Sequence, residues 1–194
     1  MRVSHGPVKL TNVVMAVRDS LDDRRTARLL LERMRPRDLD DLCRMHRDPA
    51  VMATLGGVRS DDTTAEFVRG AVSHWEQHGF GFWTVRDCAT GRFAGRGGLL
   101  HTPAGGGDDV EVAYGFLPEF WGRGLATELA GESLRVAFDV LRLPDLVCFA
   151  LETNRASRRV MEKVGFRYER DIVYHGMPHV FYRLRRARSH VKDA

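Results

Sequence analysis

Two glycines with an arginine between them mark the stretch of this chain best suited to chemistry. It reads Pro118-Glu119-Phe120-Trp121-Gly122-Arg123-Gly124-Leu125-Ala126-Thr127-Glu128. A strand-like run, Val110 to Leu117, leads into it, and a helix-like run, Leu125 to Leu141, leaves it. Glycine lets the backbone bend and lets a ligand approach the main chain. The first amides of a helix have no internal partner and carry the positive end of its dipole. Such a turn favours a phosphate or pyrophosphate, and the Arg123 side chain can fork onto phosphate oxygens. The competing reading is a strand–helix turn with only a structural job. No Gly-Lys-Ser/Thr closes a Walker loop here. Thr127 stands where the dinucleotide fingerprint needs a third small residue.

Other residues of chemical type carry weaker signals. His74 and His78 have helical i,i+4 spacing, but Glu76 is not next to His74 and no third ligand is near. An exposed helix face is therefore expected rather than a metal site. His175 and His179 flank a turn. Arg183, Arg185, Arg186 and Arg188 form a basic end, read as a solvated tail. Cys43, Cys88 and Cys148 lie far apart without pairing or metal spacing, which points to free thiols in a reducing cytosol.

Elements to position these residues can be read in order. Arg28 to Arg33 reads as a strand. Asp38 to Asp48 reads as a helix with Leu39, Leu42, Cys43 and His46 on one face. Ser60-Asp61-Asp62 caps a longer helix whose inner stripe is Val68, Ala71, Val72 and Trp75. Phe80 to Arg86 and Arg92 to His101 form a hairpin, and Gly95, Gly97 and Gly98 imply a bulge or a close backbone approach. Leu146 to Leu151 is apolar throughout, as in a strand buried on both faces. Asn154 onward opens a short helix that stops at Gly165. Phe166 to Tyr174 and His179 to Arg185 form a last hairpin around Gly176-Met177-Pro178. The expectation is an α/β fold, an α+β mixed sheet of about seven strands with helices on both faces. Val110 to Leu151 should form a right-handed parallel crossover.

The chain has 194 residues, 43% hydrophobic and 29% charged, which suits one soluble domain. A net charge of +4 fits an anionic ligand and argues little for nucleic acid, which is not expected as a partner. No apolar run approaches the ~18–20 residues of a membrane span. The N-terminus lacks a secretion pattern. A cytoplasmic protein is expected, with residues 1–25 as an extension (helix or loose tail), 26–186 as the domain and 187–194 as a basic tail.

Two segments together resemble one family. Glu111-Val112-Ala113-Tyr114-Gly115-Phe116 through Trp121-Gly122-Arg123-Gly124-Leu125-Ala126-Thr127-Glu128 is similar to the acyl-CoA pyrophosphate loop of the GCN5-related N-acetyltransferases (GNAT). Asn154-Arg155-Ala156-Ser157-Arg158-Arg159-Val160-Met161-Glu162-Lys163-Val164-Gly165-Phe166 resembles a segment of their RimJ/RimL-like branch. Trp121 replaces the loop's usual leading Gln or Arg. The resemblance implies a GNAT-like N-acyltransferase fold. It also implies acetyl-CoA as co-substrate, no metal, and direct transfer to a primary amine, either a protein N-terminus or a small molecule.

On that resemblance Phe116, Leu117, Gly122, Arg123, Gly124, Leu125, Ala126, Thr127, Asn154 and Arg158 bind the cofactor. Ser157 protonates the leaving thiolate, Asn154 contacts the pantetheine arm, and Glu111 faces the acceptor as base, directly or through water. Helix capping is the alternative role for Ser157 and Asn154, and an exposed strand carboxylate for Glu111. Glu128 reads as structural. A homodimer is compatible with the resemblance. The rival functions are a non-catalytic acyl-CoA-binding sensor or regulatory protein and a basic RNA-associated protein.

Overall fold

Eight strands form one sheet in the order β1-β2-β3-β4-β5-β6-β8-β7. The structure is a computed structural model and describes residues 21–186. The expectations for residues 1–20 and 187–194 lie outside the described residues. The strands are β1 (Asp23–Arg25), β2 (Leu29–Arg33), β3 (Phe82–Asp87), β4 (Phe93–Thr102), β5 (Asp109–Phe116), β6 (Asp145–Leu151), β7 (Arg167–Tyr174) and β8 (Met177–Arg185). The helices are α1 (Leu39–Arg47), the single turn α2 (Pro49–Met52), α3 (Asp61–His78), α4 (Leu125–Arg135) and α5 (Arg155–Lys163).

The mixed sheet with helices on both faces is as expected, with one strand more than foreseen. That strand, β1, lies within the extension read as a helix or loose tail. Asp23, Arg24 and Arg25 extend because they pair with Glu32, Leu31 and Leu30 of β2. Three further boundaries differ. A 3₁₀ turn, Pro36–Asp38, precedes α1. The helix after the glycine loop is α-helical only to Arg135, and Val136–Val140 widens to a π turn in which the Leu141 N–H reaches Val136 O. The last hairpin turns at His175-Gly176 (φ 48° and 75°), with Tyr174 opposite Met177. Two successive positive φ values suit a tight two-residue loop, so Pro178 sits inside β8 rather than in the turn.

Strand parity assigns the two faces of the sheet. Arg96 pairs with Gly115, Gly98 with Ala113 and Leu100 with Glu111, so these six side-chain positions share one face. A Cβ on Gly115 would meet Met45 of α1 at 2.8 Å, which places α1 on that face. A Cβ on Gly97 would meet Leu129 of α4 at 2.5 Å, which places α4 on the other. The core packs around Trp75, Trp83, Leu29, Leu31, Met45 and Leu125, all at most 2% exposed. The indole N–H groups of Trp75 and Trp83 donate to Phe82 O and Leu21 O at 2.7 and 2.9 Å.

Every neighbouring pair of strands is antiparallel except β5 and β6, whose α4 crossover makes them parallel. This seam is registered through a single pair, Glu111↔Val147, whereas β4 and β5 are registered from Gly95↔Phe116 to Thr102↔Asp109. Below the pair, Arg183 of β8 clamps the two strand starts. Its guanidinium donates to Asp109 at 2.7 Å, Asp145 at 2.6 Å and Glu169 at 2.9 Å. The strands are thus held at their first residues and part toward their C-terminal ends. The reading of Arg183 as part of a solvated tail is corrected by this cluster.

Candidate active site

The parted seam leaves one edge of β5 unpaired. Leu117 N–H donates to Ala94 O at 2.8 Å, and antiparallel ladders alternate. The main-chain groups of Val112, Tyr114 and Phe116 therefore point away from β4, toward the gap beside β6. Two are already used: the Glu111↔Val147 bridge takes the Val112 N–H, and the Trp121 indole N–H donates to Phe116 O at 2.7 Å. Phe116 and Leu117 are themselves buried.

The glycine loop lies at the mouth of this gap. Gly122 and Gly124 have φ of 72° and 75°, a region that L side chains rarely adopt. Gly124 is the N-cap of α4 and makes no side-chain cap. Glu128 N–H is bonded to Gly124 O at 3.1 Å, so the amides of Leu125, Ala126 and Thr127 precede the first internal bond. A Cβ on Gly122 would meet nothing within 4 Å, and one on Gly124 only an Arg28 nitrogen at 3.8 Å. The cradle is open and electropositive, and a pyrophosphate fits it.

Two arginines border the cradle. Arg123 leans toward Asp87, 3.7 Å away, and over the Phe120 ring. Arg28, which the sequence did not mark, donates to Arg123 O at 2.7 Å and pairs with Glu128 at 2.7 Å. Glu128 also accepts from Thr26 and from the Arg28 amide, a structural tie between β2 and α4.

Deeper in the gap, α5 brings Ser157 against β5. Asn154 is the N-cap of α5, its Oδ1 accepting the Ser157 N–H at 3.1 Å. The capping alternative thus holds for Asn154 and not for Ser157. Ser157 Oγ lies 3.0 Å from the hydroxyl of Tyr114, a residue that sequence reasoning passed over. Its signal was present in period two: Tyr114 must face away from Glu111, toward α4 and α5. Burial lifts the Tyr114 phenol well above its ordinary value, so it stays protonated and able to donate. Arg158 donates to Glu152 O at 3.4 Å and lies beside the Tyr182 hydroxyl.

Glu111 occupies the point where the strands part, on the face covered by α1 to α3. It is half-buried, and loss of water raises its carboxyl to about 7, against an opposing pull from Arg96. A base poised near neutrality is suited to taking a proton from an amine. Cys148, next along β6 from Val147, is buried and free, and burial pushes its thiol far above the usual range. It is not a nucleophile in this setting.

Of the helical pair His74 and His78, His74 is in structural use. His74 Nδ1 binds Phe80 O at 2.8 Å and its Nε2 accepts the His101 N–H at 3.0 Å, so both nitrogens are taken. Among the described residues no cluster of His, Cys, Asp or Glu could hold a metal ion. No described helix is long and apolar enough to cross a membrane.

The chain is similar to known proteins. A family model described as "Acetyltransferase (GNAT) domain" matches residues 28–167. The uncharacterised protein YkkB of Bacillus subtilis (strain 168) is 30% identical over 148 residues, 76% of this chain and 86% of that protein. The FsC-acetyl coenzyme A-N(2)-transacetylase of Aspergillus fumigatus is 36% identical over 93 residues, 45% of this chain and 39% of that protein. Among solved structures, an acetyltransferase from Agrobacterium tumefaciens str. C58 superposes with a TM-score of 0.74 at 25% identity, covering 84% of this chain and 94% of that one.

Proposed function

The chain belongs to the GNAT acetyltransferase family, and from that premise we propose that it transfers the acetyl group of acetyl-CoA directly to a primary amine. The family uses acetyl-CoA as co-substrate, and the open cradle at Gly122 to Thr127 beside the free β5 edge accommodates one. The observation that carries the reading is the single-pair seam: a sheet parted beyond Glu111↔Val147, with phosphate-seeking amides at its mouth and a hydroxyl pair at its floor.

Acetyl-CoA supplies the acyl group as a thioester. The amides of Gly122 to Thr127 hold its pyrophosphate, with Arg28 and Arg123 adding charge. The β5 edge at Val112 and Tyr114 and the Asn154 side chain orient the pantetheine arm. Glu111 takes the proton released by the amine, directly or through water. Tyr114, in contact with Ser157, gives a proton to the departing sulfur. With Cys148 held neutral, attack is direct and needs no acyl-enzyme. The non-catalytic sensor is not favoured, because a near-neutral base and a protonated phenol stand on the two faces of the same strand.

The acceptor amine belongs to a small molecule in this reading, in keeping with the N(2) transfer in the name of the Aspergillus relative. The three free cysteines favour a cytoplasmic enzyme. Thiol release from acetyl-CoA, followed against a panel of amines, tests the reading. Amine-dependent release supports it; release at the rate of spontaneous hydrolysis with every amine refutes it.

A further inference from the structure

The sheet face covered by α1 to α3 carries two opposite charges, and neither is neutralised by a contact within the described residues. Arg96 of β4 is only 6% exposed. Its guanidinium lies 4.7 Å from the Phe82 ring centre and 5.2 Å from that of Phe67. It makes no ion pair or hydrogen bond among the described residues, and its Nε is buried without an acceptor. Glu111, on the same face, likewise has no ion pair or hydrogen bond within contact distance.

A second cation stands beside the first. Arg59, from the loop between α2 and α3, lies over the same Phe67 ring at 5.4 Å. Its one polar contact is a long one, 3.5 Å to Leu55 O. Burial eases proton loss from both Arg59 and Arg96, and for Arg96 the charge of Arg59 adds to it. Three acids, of α3, β5 and the loop before β5, are engaged elsewhere. Asp61 pairs with Arg47, Asp108 with His101 and Asp109 with Arg183.

A buried guanidinium without an anion is costly, and proteins seldom keep one without use. The fork of an arginine matches a carboxylate bidentately. The two phenyl rings beside it offer apolar walls. Arg96 and Glu111 feel each other's charge but do not touch, and an ammonium next to Glu111 and a carboxylate next to Arg96 would give each a partner at contact distance.

We propose that the acceptor is a small amine bearing its own carboxylate, with Arg96 and Arg59 holding the carboxylate while the amine faces Glu111. This rests on the acetyl-transfer reading above. The amine nitrogen forms the new C–N bond as the thioester C–S bond breaks. The amine proton goes to Glu111 and the sulfur is protonated from Tyr114. Two unneutralised arginines would repel a polyamine. A peptide N-terminus offers an amide, not a carboxylate, at the matching place.

The test is thiol release by the full chain with saturating acetyl-CoA. Acceptors are the protein amino acids and β-alanine, each beside its carboxamide, plus spermidine and an alanine-initiated peptide. At least one free acid should exceed its amide in kcat/KM by about tenfold or more, the worth of one charged hydrogen-bonded pair. Arg96→Gln should raise the KM for that acid at least tenfold while kcat and acetyl-CoA affinity change little. Arg59→Gln should shift KM the same way and serves if the buried substitution fails to fold. Amides equal to acids, spermidine or the peptide as the best acceptor, or no acid turned over at all, would each overturn the proposal. Loss of acetyl-CoA binding itself would instead remove the reading on which it rests.

Discussion

The hydroxyl of Tyr114 stands 3.0 Å from Ser157 Oγ, joining β5 to α5 across the parted seam. Ser157 alone is a weak acid; paired with a phenol it becomes part of a short donor chain ending in the gap. Tyr114→Phe should lower kcat by about 10²-fold, the usual worth of a positioned proton donor, with the acetyl-CoA Kd unchanged. Ser157→Ala should cost less. The double variant should be no worse than Tyr114→Phe, because groups acting as one unit are not additive. Steady-state kinetics and calorimetry on the three variants check this; a Tyr114→Phe rate within twofold of wild type rejects the phenol as donor.

Glu111 sets the pH dependence. Its carboxyl is raised to about 7, so the base form is lost as pH falls through that value. The kcat/KM profile should fall on the acid side with an apparent pKa near 7, and Glu111→Gln should flatten that limb while lowering the rate about 10²-fold or more. Stability moves the opposite way. An upward shift penalises the ionised folded state, so stability is lost as pH rises from about 4.5 to 7. Glu111→Gln should therefore gain stability relative to wild type at pH 8 and little at pH 4, as denaturant titrations at the two pH values would show.

His46 should make the protein acid-sensitive. It is 0% exposed, with Nδ1 3.2 Å from Thr64 Oγ1. The Thr64 hydroxyl donates to Ser60 O at 2.9 Å, so the imidazole must donate through Nδ1, leaving Nε2 unprotonated and without a partner. Burial first, then Arg96 and Arg59, lowers its pKa to about 3. A depressed histidine stabilises the fold above the ordinary value near 6.5 and loses that stabilisation as pH falls toward 3. His46→Gln should show a shallower decline in melting temperature over that interval; an unchanged slope would assign the acid sensitivity to other groups.

Arg183 holds the base of the seam shut. Arg183→Met would leave Asp109, Asp145 and Glu169 facing one another without their shared cation. The cluster is partly open to water, so the cost should be about 2–3 kcal/mol rather than the full penalty of a buried charge. A melting temperature lower by roughly 4–12 °C is expected. Less than 1 °C would show that the clamp contributes nothing to the fold.

The legible parts of this molecule were the local ones. Gly122 and Gly124 announced a strand-to-helix turn because the positive φ they adopt is a property of the residue itself. Leu29 and Leu31, Val68 and Trp75, and Leu146 to Cys148 announced buried faces through their spacing. Contacts between distant positions were not legible. The three polar residues of β1 extend only because β2 is beside them. Arg183 looked like one more cation of a tail, yet its partners lie 14, 38 and 74 positions away. Tyr114 and Ser157 are 43 positions apart. Arg28 reaches the glycine loop from 95 positions away. Charge pairing at such separations depends on register, which side-chain type does not encode.

Calorimetric titration of the purified protein with acetyl-CoA, beside Gly124→Val as control, tests the central claim most directly. The substitution places a branched side chain at a φ of 75° in the open cradle. Wild type should bind with a Kd in the ~1 μM–1 mM range usual for enzyme substrates. The variant, shown to be folded by circular dichroism, should not bind. A folded wild-type protein that fails to bind acetyl-CoA, or a folded variant that binds it as well, would contradict the account.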